Sequence, residues 1–311
     1  MSALPVIAFI GVGNMGNPMA ANLVRAGYDV AVFDAVAAKT DNLVALGATF
    51  ASSVAQAVAH ADVVMASLPG PPQVSQVMLG ADGVLAHVRS GTTVIDTSTS
   101  SVELVQRLVQ TTGERGVHFL EAPVTNAVDM AALGRLSIFV GGDKDCYNRH
   151  LPIFNVIGEK IFHCGKPGNA ATVKLLTNLL WFVGAATIGE ALMLGAKAGV
   201  PLNVVQEAIT SSAGDSWVAR HDIPSIFAGH YDPSFSLALC CKDLGLINQV
   251  AQSQGYELTM GALAQKVFQQ AMQTYGPDAG ELHVVRLLEE RAGLLLRPPL
   301  GQAWGSDAVK S

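Results

Sequence analysis

Charge is scarce in this chain. Asp, Glu, Lys and Arg together make up 14% of 311 residues, and they leave a net charge of −6. With no basic excess to hold a phosphate backbone or an anionic lipid surface, nucleic acid and membrane are disfavoured as partners. Cysteine is scarcer still: Cys146, Cys164, Cys240 and Cys241 form no C-x-x-C, and no histidine pair stands near them at zinc-ligand spacing. This pattern supports neither a disulfide framework nor a metal site, and it fits a reducing cytoplasm. Internal repeats and low-complexity segments are lacking too. The amino terminus has no basic region, and its apolar run, Val6 to Ile10, is too short for a signal peptide and reads as a strand. The one long apolar stretch, Leu175 to Leu194, is interrupted by Asn178 and Glu190 and follows directly on Lys174. It reads as a helix buried inside a soluble protein rather than as a membrane span.

What is present is apolar mass. Half of the residues are hydrophobic, which excludes a disordered or fibrous chain and gives enough material for two domains. Short apolar or β-branched runs recur between helical stretches: Val6 to Ile10, Val30 to Phe33, Val63 to Ser67, Thr93 to Asp96, His118 to Glu121, Leu136 to Val140 and Lys160 to His163. Met19 to Ala26, Ala38 to Leu46 and Val74 to Leu79 carry helical spacing between the first four. Alternation of this kind predicts an α/β unit with a mainly parallel sheet. After Gly165-Lys166-Pro167-Gly168 only helical patterns follow: Ala170 to Gly199, Asn203 to Ser211, Ser234 to Gln254 and Met260 to Tyr275. The expected division is therefore residues 1–164, residues 165–297, and a loosely held tail over residues 298–311.

The first strand runs straight into Gly11-Val12-Gly13-Asn14-Met15-Gly16 and then a helix, and Asp34 ends the second strand. The first glycine allows a tight turn, the second lets backbone approach a pyrophosphate, and the third lets helix pack on strand. The helix N-terminus then faces the negative charge. Asp34 is placed to accept hydrogen bonds from a ribose diol, and its carboxylate would repel a 2′-phosphate that no neighbouring arginine neutralises. The expected cofactor is a dinucleotide, with NAD favoured over NADP. Ser98 follows the strand Thr93 to Asp96, where open α/β sheets bind ligands; the competing reading is that one of the hydroxyls of Ser98 to Ser101 caps the helix beginning at Val102.

Together these motifs resemble the β-hydroxyacid dehydrogenase family, which includes 3-hydroxyisobutyrate dehydrogenase and tartronate semialdehyde reductase and belongs to the 6-phosphogluconate dehydrogenase superfamily. The resemblance runs from residue 6 to about residue 296. Its pieces are Gly11 to Leu23, Ser67-Leu68-Pro69, Asp96-Thr97-Ser98-Thr99, Glu121-Ala122-Pro123-Val124, Val140-Gly141-Gly142, Gly168-Asn169-Ala170 with Lys174 and Asn178, and Lys242-Asp243-Leu244. It implies a Rossmann-like N-terminal domain and an all-α C-terminal domain, joined by a long helix, with the active site in the cleft between. It further implies cofactor contacts from Leu68, Pro69, Thr99 and Lys242, and catalysis by Lys174 with Asn178 one helical turn on. Positions i and i+4 share a helix face, and an ammonium buried beside a nicotinium ring is expected to have a lowered pKa, as a general base requires. The resemblance also implies homodimers or homotetramers.

One segment departs from the family pattern. Where Ser-Gly-Gly usually holds the substrate carboxylate, this chain has Thr125-Asn126-Ala127. Threonine keeps a hydroxyl, while Asn126 and Ala127 place side-chain atoms where glycine leaves space. Downstream, Trp217, Arg220, His221 and Phe235 are candidates for the substrate's surroundings. The alternative is an Arg220–Asp222 surface bridge with Trp217 in the core. The reading that follows is an NAD-dependent oxidoreductase interconverting a small 3-hydroxy acid and its semialdehyde, with Lys174 as general acid and base. An imine or other carbonyl reductase of the same fold is the competing enzyme reading; a non-enzymatic NAD-sensing module, for which no reader domain or basic stretch is present, is disfavoured.

Overall fold

A computed structural model describes residues 4–298, and the chain divides into two compact units that part between Thr177 and Asn178. The first is built on a nine-stranded sheet. Its strands are β1 (Ile7–Ile10), β2 (Val30–Phe33), β3 (Thr49–Phe50), β4 (Val63–Ala66), β5 (Thr93–Asp96), β6 (His118–Glu121), β7 (Val124–Thr125), β8 (Leu136–Gly142) and β9 (Gly158–Gly165). They lie in the order β3-β2-β1-β4-β5-β6-β8-β7, with β9 also paired to β8. The strands from β3 through β6 are mutually parallel, β8 runs antiparallel to β6 and β7, and β9 is parallel to β8.

Both faces of this sheet are covered. Ile7, Phe9, Val63 and Met65 point into one core and Ala8, Ile10, Val64 and Ala66 into the other, so the central strands are apolar at every position instead of alternating. This is the Rossmann-like arrangement, with the glycine turn at the carboxyl end of β1 beside the carboxyl ends of β4 and β5.

The expected strands all form, within a residue or two, except that β9 extends over eight residues. β3 and β7, of two residues each, are too short to show a pattern. Two helices carry internal prolines that disguise them in the sequence: Lys144–Ile157 with Pro152 and Trp217–Ala228 with Pro224.

One helix, Asn169–Lys197, runs for 29 residues, and the division between the units falls within it. Its first turns belong to the sheet unit, because Ala171 lies in one of that unit's two cores. In the helical unit its later turns are joined by Leu202–Thr210, Trp217–Ala228, Leu237–Ser253, Thr259–Tyr275 and His283–Ala292. An aromatic cluster of Trp181, Phe182, Phe235 and Phe268, with ring centroids 5.1 to 6.2 Å apart, fills part of the core. Arg297 is anchored: its guanidinium donates to Glu289 Oε1 at 2.9 Å and to the Tyr231 hydroxyl at 2.5 Å. Residues 299–311, to which the expectation of a loose tail applies, lie outside the described residues.

Candidate active site

In the sheet unit the glycine turn has the geometry its sequence requires. Gly11 sits at φ 85°, and a Cβ there would stand 2.4 Å from the Ser67 carbonyl oxygen; a Cβ on Gly16 would stand 2.0 Å from that of Gly11. Around Gly13 nothing lies within 4 Å of such a Cβ, so the middle of the turn is open to an approaching group. Met15 precedes the helix Gly16–Arg25 without a side-chain cap, which leaves the helix start available to an anion. Asp34, just beyond β2, accepts the N–H of Val12 through Oδ2 and that of Val36 through Oδ1, both at 2.9 Å. Its carboxylate thereby joins the end of the second strand to the turn after the first.

Ser98 and Leu68 meet directly. The Leu68 N–H donates to Ser98 Oγ at 2.9 Å, and the Ser98 N–H donates to Asp96 Oδ1 at 3.0 Å. Ser98 therefore ties the loop after β5 to the loop after β4. The helix Val102–Gly113 is capped by Ser101, whose Oγ accepts from Leu104 N–H at 3.2 Å. Pro69 is exposed and Thr99 half-buried on the same two loops.

The departing segment keeps a glycine-like backbone without glycine. Asn126 adopts φ 89° and Ala127 φ 62°, a left-handed conformation that asparagine tolerates and that costs alanine about 1 kcal/mol. Asn126 Nδ2 donates to Ser137 Oγ on β8 at 3.0 Å. Thr125, Asn126 and Ala127 are all half-buried. The path of the chain is thus the one that two glycines would permit, with an amide added to its surface and held in one direction.

Lys174 and Asn178 stand four residues apart on the long helix, 6% and 1% exposed. In the helical unit Asn178 Nδ2 donates to Asp243 Oδ2 at 2.6 Å, and Lys242 Nζ lies 2.9 Å from Asp243 Oδ1. Asp243, itself fully buried, binds an amide with one oxygen and an ammonium with the other, which fixes both. Sequence reasoning assigned Lys242 a role and gave Asp243 none. The available signal was an acid, next to Lys242, inside the run Leu237 to Leu246 whose other residues carry no charge.

The Arg220–Asp222 bridge of the alternative reading does not form. The guanidinium turns back to Asp215 Oδ2 at 2.8 Å and the Thr210 carbonyl at 2.9 Å, while Asp222 is buried and lies 3.2 Å from His221 Nδ1. Helical positions two residues apart point away from each other, so Arg220 and Asp222 cannot share a face. Nor is Trp217 in the core: it is 52% exposed and stacks on His221 with ring centroids 4.4 Å apart. Phe235 belongs instead to the aromatic cluster around Trp181. Among the described residues no group of three His, Cys, Asp or Glu side chains is arranged to hold a metal.

Comparison with known proteins places the chain in a family. The model of the NAD binding domain of 6-phosphogluconate dehydrogenase matches residues 6–165, and that described as NAD-binding of NADP-dependent 3-hydroxyisobutyrate dehydrogenase matches residues 168–288. The chain belongs to the β-hydroxyacid dehydrogenase family. An NAD-dependent L-serine dehydrogenase of Pseudomonas aeruginosa is 37% identical over 269 residues, covering 84% of this chain and 90% of the relative. The solved structure of Mycobacterium tuberculosis 3-hydroxyisobutyrate dehydrogenase with L-serine is 32% identical, covers 92% of this chain and 99% of its own, and superposes with a TM-score of 0.84. A structure of Psf3 with NADP+ and 2-OPP is 26% identical, covers 91% of this chain and all of its own, and has a TM-score of 0.85. Membership makes the chain an oxidoreductase of the hydroxyacid dehydrogenase kind with an NAD(P)-binding domain.

Proposed function

We propose that the protein interconverts a small 3-hydroxy acid and its semialdehyde with NAD as the hydride carrier, and that Lys174 is its general acid and base. The observation that carries this reading is the buried pair Lys174 and Asn178, side by side on the long helix, with Asn178 fixed by Asp243. In oxidation Lys174 takes the proton of the substrate hydroxyl, and in reduction it returns that proton to the carbonyl oxygen. Asn178, its amide nitrogen held by Asp243, keeps its carbonyl oxygen as an acceptor beside the reacting hydroxyl. The nicotinamide, when bound, supplies or accepts the hydride.

The residues of the glycine turn, Gly11, Val12, Gly13, Asn14, Met15 and Gly16, receive the pyrophosphate. Asp34 holds the adenosine ribose and selects NAD over NADP. Leu68 and Pro69 flank the adenosine side, Thr99 stands near the nicotinamide ribose, and Lys242 lies beside the cofactor. Ser98, Thr125, Asn126 and Ala127 form the acid-binding side. The fixed amide of Asn126 favours a substrate with a polar group near its carboxylate, as in a 3-hydroxy acid bearing a 2-amino substituent, of which L-serine is the simplest. We further propose a cytoplasmic homodimer or homotetramer.

The test is reduction of NAD, and separately of NADP, followed at the reduced nicotinamide absorbance across short 3-hydroxy acids with alkyl, hydroxyl, amino and sulfonate substituents. Turnover with NAD on at least one of them is expected, and Lys174→Ala should lower kcat by about 10²–10⁴-fold while NAD still binds. Unchanged kcat in that variant would remove Lys174 from the chemistry. Silence with every acid, accompanied by NADH oxidation with imines or simple aldehydes, would replace the proposed substrate class.

A further inference from the structure

Three of the motifs that carry the family resemblance have no part in the chemistry above: Glu121 at the end of β6, Gly141 in β8, and Gly168-Asn169-Ala170 ahead of Lys174. In the fold they meet at one carboxylate. Glu121 is 2% exposed. Its Oε1 accepts the N–H of Gly168 at 2.5 Å and that of Ala170 at 3.1 Å, and its Oε2 accepts the N–H of Ala171 at 3.0 Å. These are the unpaired donors with which the long helix begins, and all lie in the same compact unit as the carboxylate. Gly141 is paired with Glu121 across the two strands. A Cβ on Gly141 would stand 2.1 Å from Glu121 Oε1, so only glycine there leaves the carboxylate its place.

We infer that Glu121 is a positioning residue, bolting the first turn of the long helix to the carboxyl end of β6 and thereby setting where Lys174 stands relative to the sheet edge. Lys174 follows Ala170 by four residues and Ala171 by three, one turn further along the same side and about 6 Å up the axis. A first turn held by three bonds to a single buried group has neither the rotation nor the slide that a frayed helix start has. The end of β6 leads directly into Val124 and Thr125, so the strand that fixes the helix also begins the segment proposed to bind the acid. One side chain therefore sets the spacing between the proposed base and the proposed substrate pocket. Burial pushes the carboxyl up to about 7 against the three backbone bonds that favour its ionised form, and Asp96 at the end of β5 raises it further; Cys164 on β9 also feels its charge. The bolt is thus fully charged only above neutral pH, where a hydroxyl oxidation with Lys174 as base is also favoured.

The kinetic part of the test rests on the dehydrogenase reading, and the structural part does not. Glu121→Gln keeps the shape but offers one acceptor oxygen in place of two, turning an amide N–H toward a backbone donor; Glu121→Ala removes the bolt. In the full chain, both variants should speed amide exchange over residues 168–171 by tenfold or more while NAD affinity stays within about threefold. Both should move the pH midpoint at which Lys174 is acetylated by acetic anhydride, read by mass spectrometry. With the hydroxy acid that proves active, kcat should fall by about ten- to a hundredfold with a smaller change in KM, the scale on which a shift of about 1 Å in a reacting group is felt. A merely structural role would lower the unfolding midpoint and leave the Lys174 titration and kcat as in the parent. That result, or unchanged exchange over 168–171, overturns the inference. Should Glu121→Ala not fold, the isosteric Glu121→Gln decides alone. If the parent turns over no hydroxy acid, the substrate reading falls while exchange and acetylation still decide the role of Glu121.

Discussion

Asp34 binds Val12 with one carboxylate oxygen and Val36 with the other, so the residue proposed to hold the ribose also shapes the turn proposed to hold the pyrophosphate. Asp34→Ala should therefore raise the NAD dissociation constant by about tenfold or more, equivalent to about 1.4 kcal/mol or more. NADP affinity should fall less, because the repulsion of a 2′-phosphate disappears with the carboxylate. Titration of both cofactors by quenching of tryptophan fluorescence checks this, and equal losses would mean that Asp34 does not discriminate between them. Asp34 was legible in the sequence because its partners, a glycine turn and a strand end, are local and patterned. Glu121 and Asp243 were not, since each acquires its role from residues 47 to 65 positions away and nothing near it in the chain announces the partner. The backbone of Asn126 and Ala127 was equally hidden: the sequence showed the added side-chain atoms, but not that both residues adopt positive φ.

At the scale of the element, the glycine turn and the helix after it separate two functions that one motif combines. Gly16→Ala should cost about 1–3 kcal/mol of stability, since the added methyl meets the Gly11 carbonyl oxygen at 2.0 Å and neither backbone can yield without moving β1 or the helix. Gly13→Ala meets nothing; it should fold like the parent and lose cofactor affinity alone. Urea midpoints paired with NAD titrations distinguish the two, and equal stability losses would contradict the assignment. The long helix could be read from its apolar length, whereas Trp217–Ala228 could not, because Pro224 breaks the helical pattern just where the chain tolerates it.

For the molecule as a whole, the buried carboxyls make folding a proton-binding reaction. Glu121 is held at about 7 against an ordinary 4.5, chiefly by burial. Asp222 is raised by burial, and Glu281 well raised by burial and by the nearby Asp222 and Asp232. A raised carboxyl contributes stability that is complete below its unfolded value and is lost as pH climbs through its folded one. For Glu121 that window is about 4.5 to 7 and the loss about 3 kcal/mol. His150 and His283, both lowered by burial, act in the opposite sense below their ordinary values, so the group must be isolated by difference. Urea unfolding of the parent and of Glu121→Gln at pH 5 and pH 8 should show the balance shifting by about 2.5 kcal/mol toward the glutamine variant at the higher pH, part of the loss having already occurred at pH 5. A difference independent of pH would place the Glu121 carboxyl in its ordinary range.

The division of the chain between Thr177 and Asn178 lies inside a continuous helix, between Lys174 and the neighbour proposed to work with it. Such a seam can accept new residue types but not a new length. One codon gained or lost there would swing one side chain about 100° past the other and shift it about 1.5 Å along the axis, and no later change at either position would restore their alignment. Recombination between relatives has its safe crossover about three turns earlier, at the Gly165 to Gly168 bend, where the backbone is already out of the helix and the reading of distance begins anew.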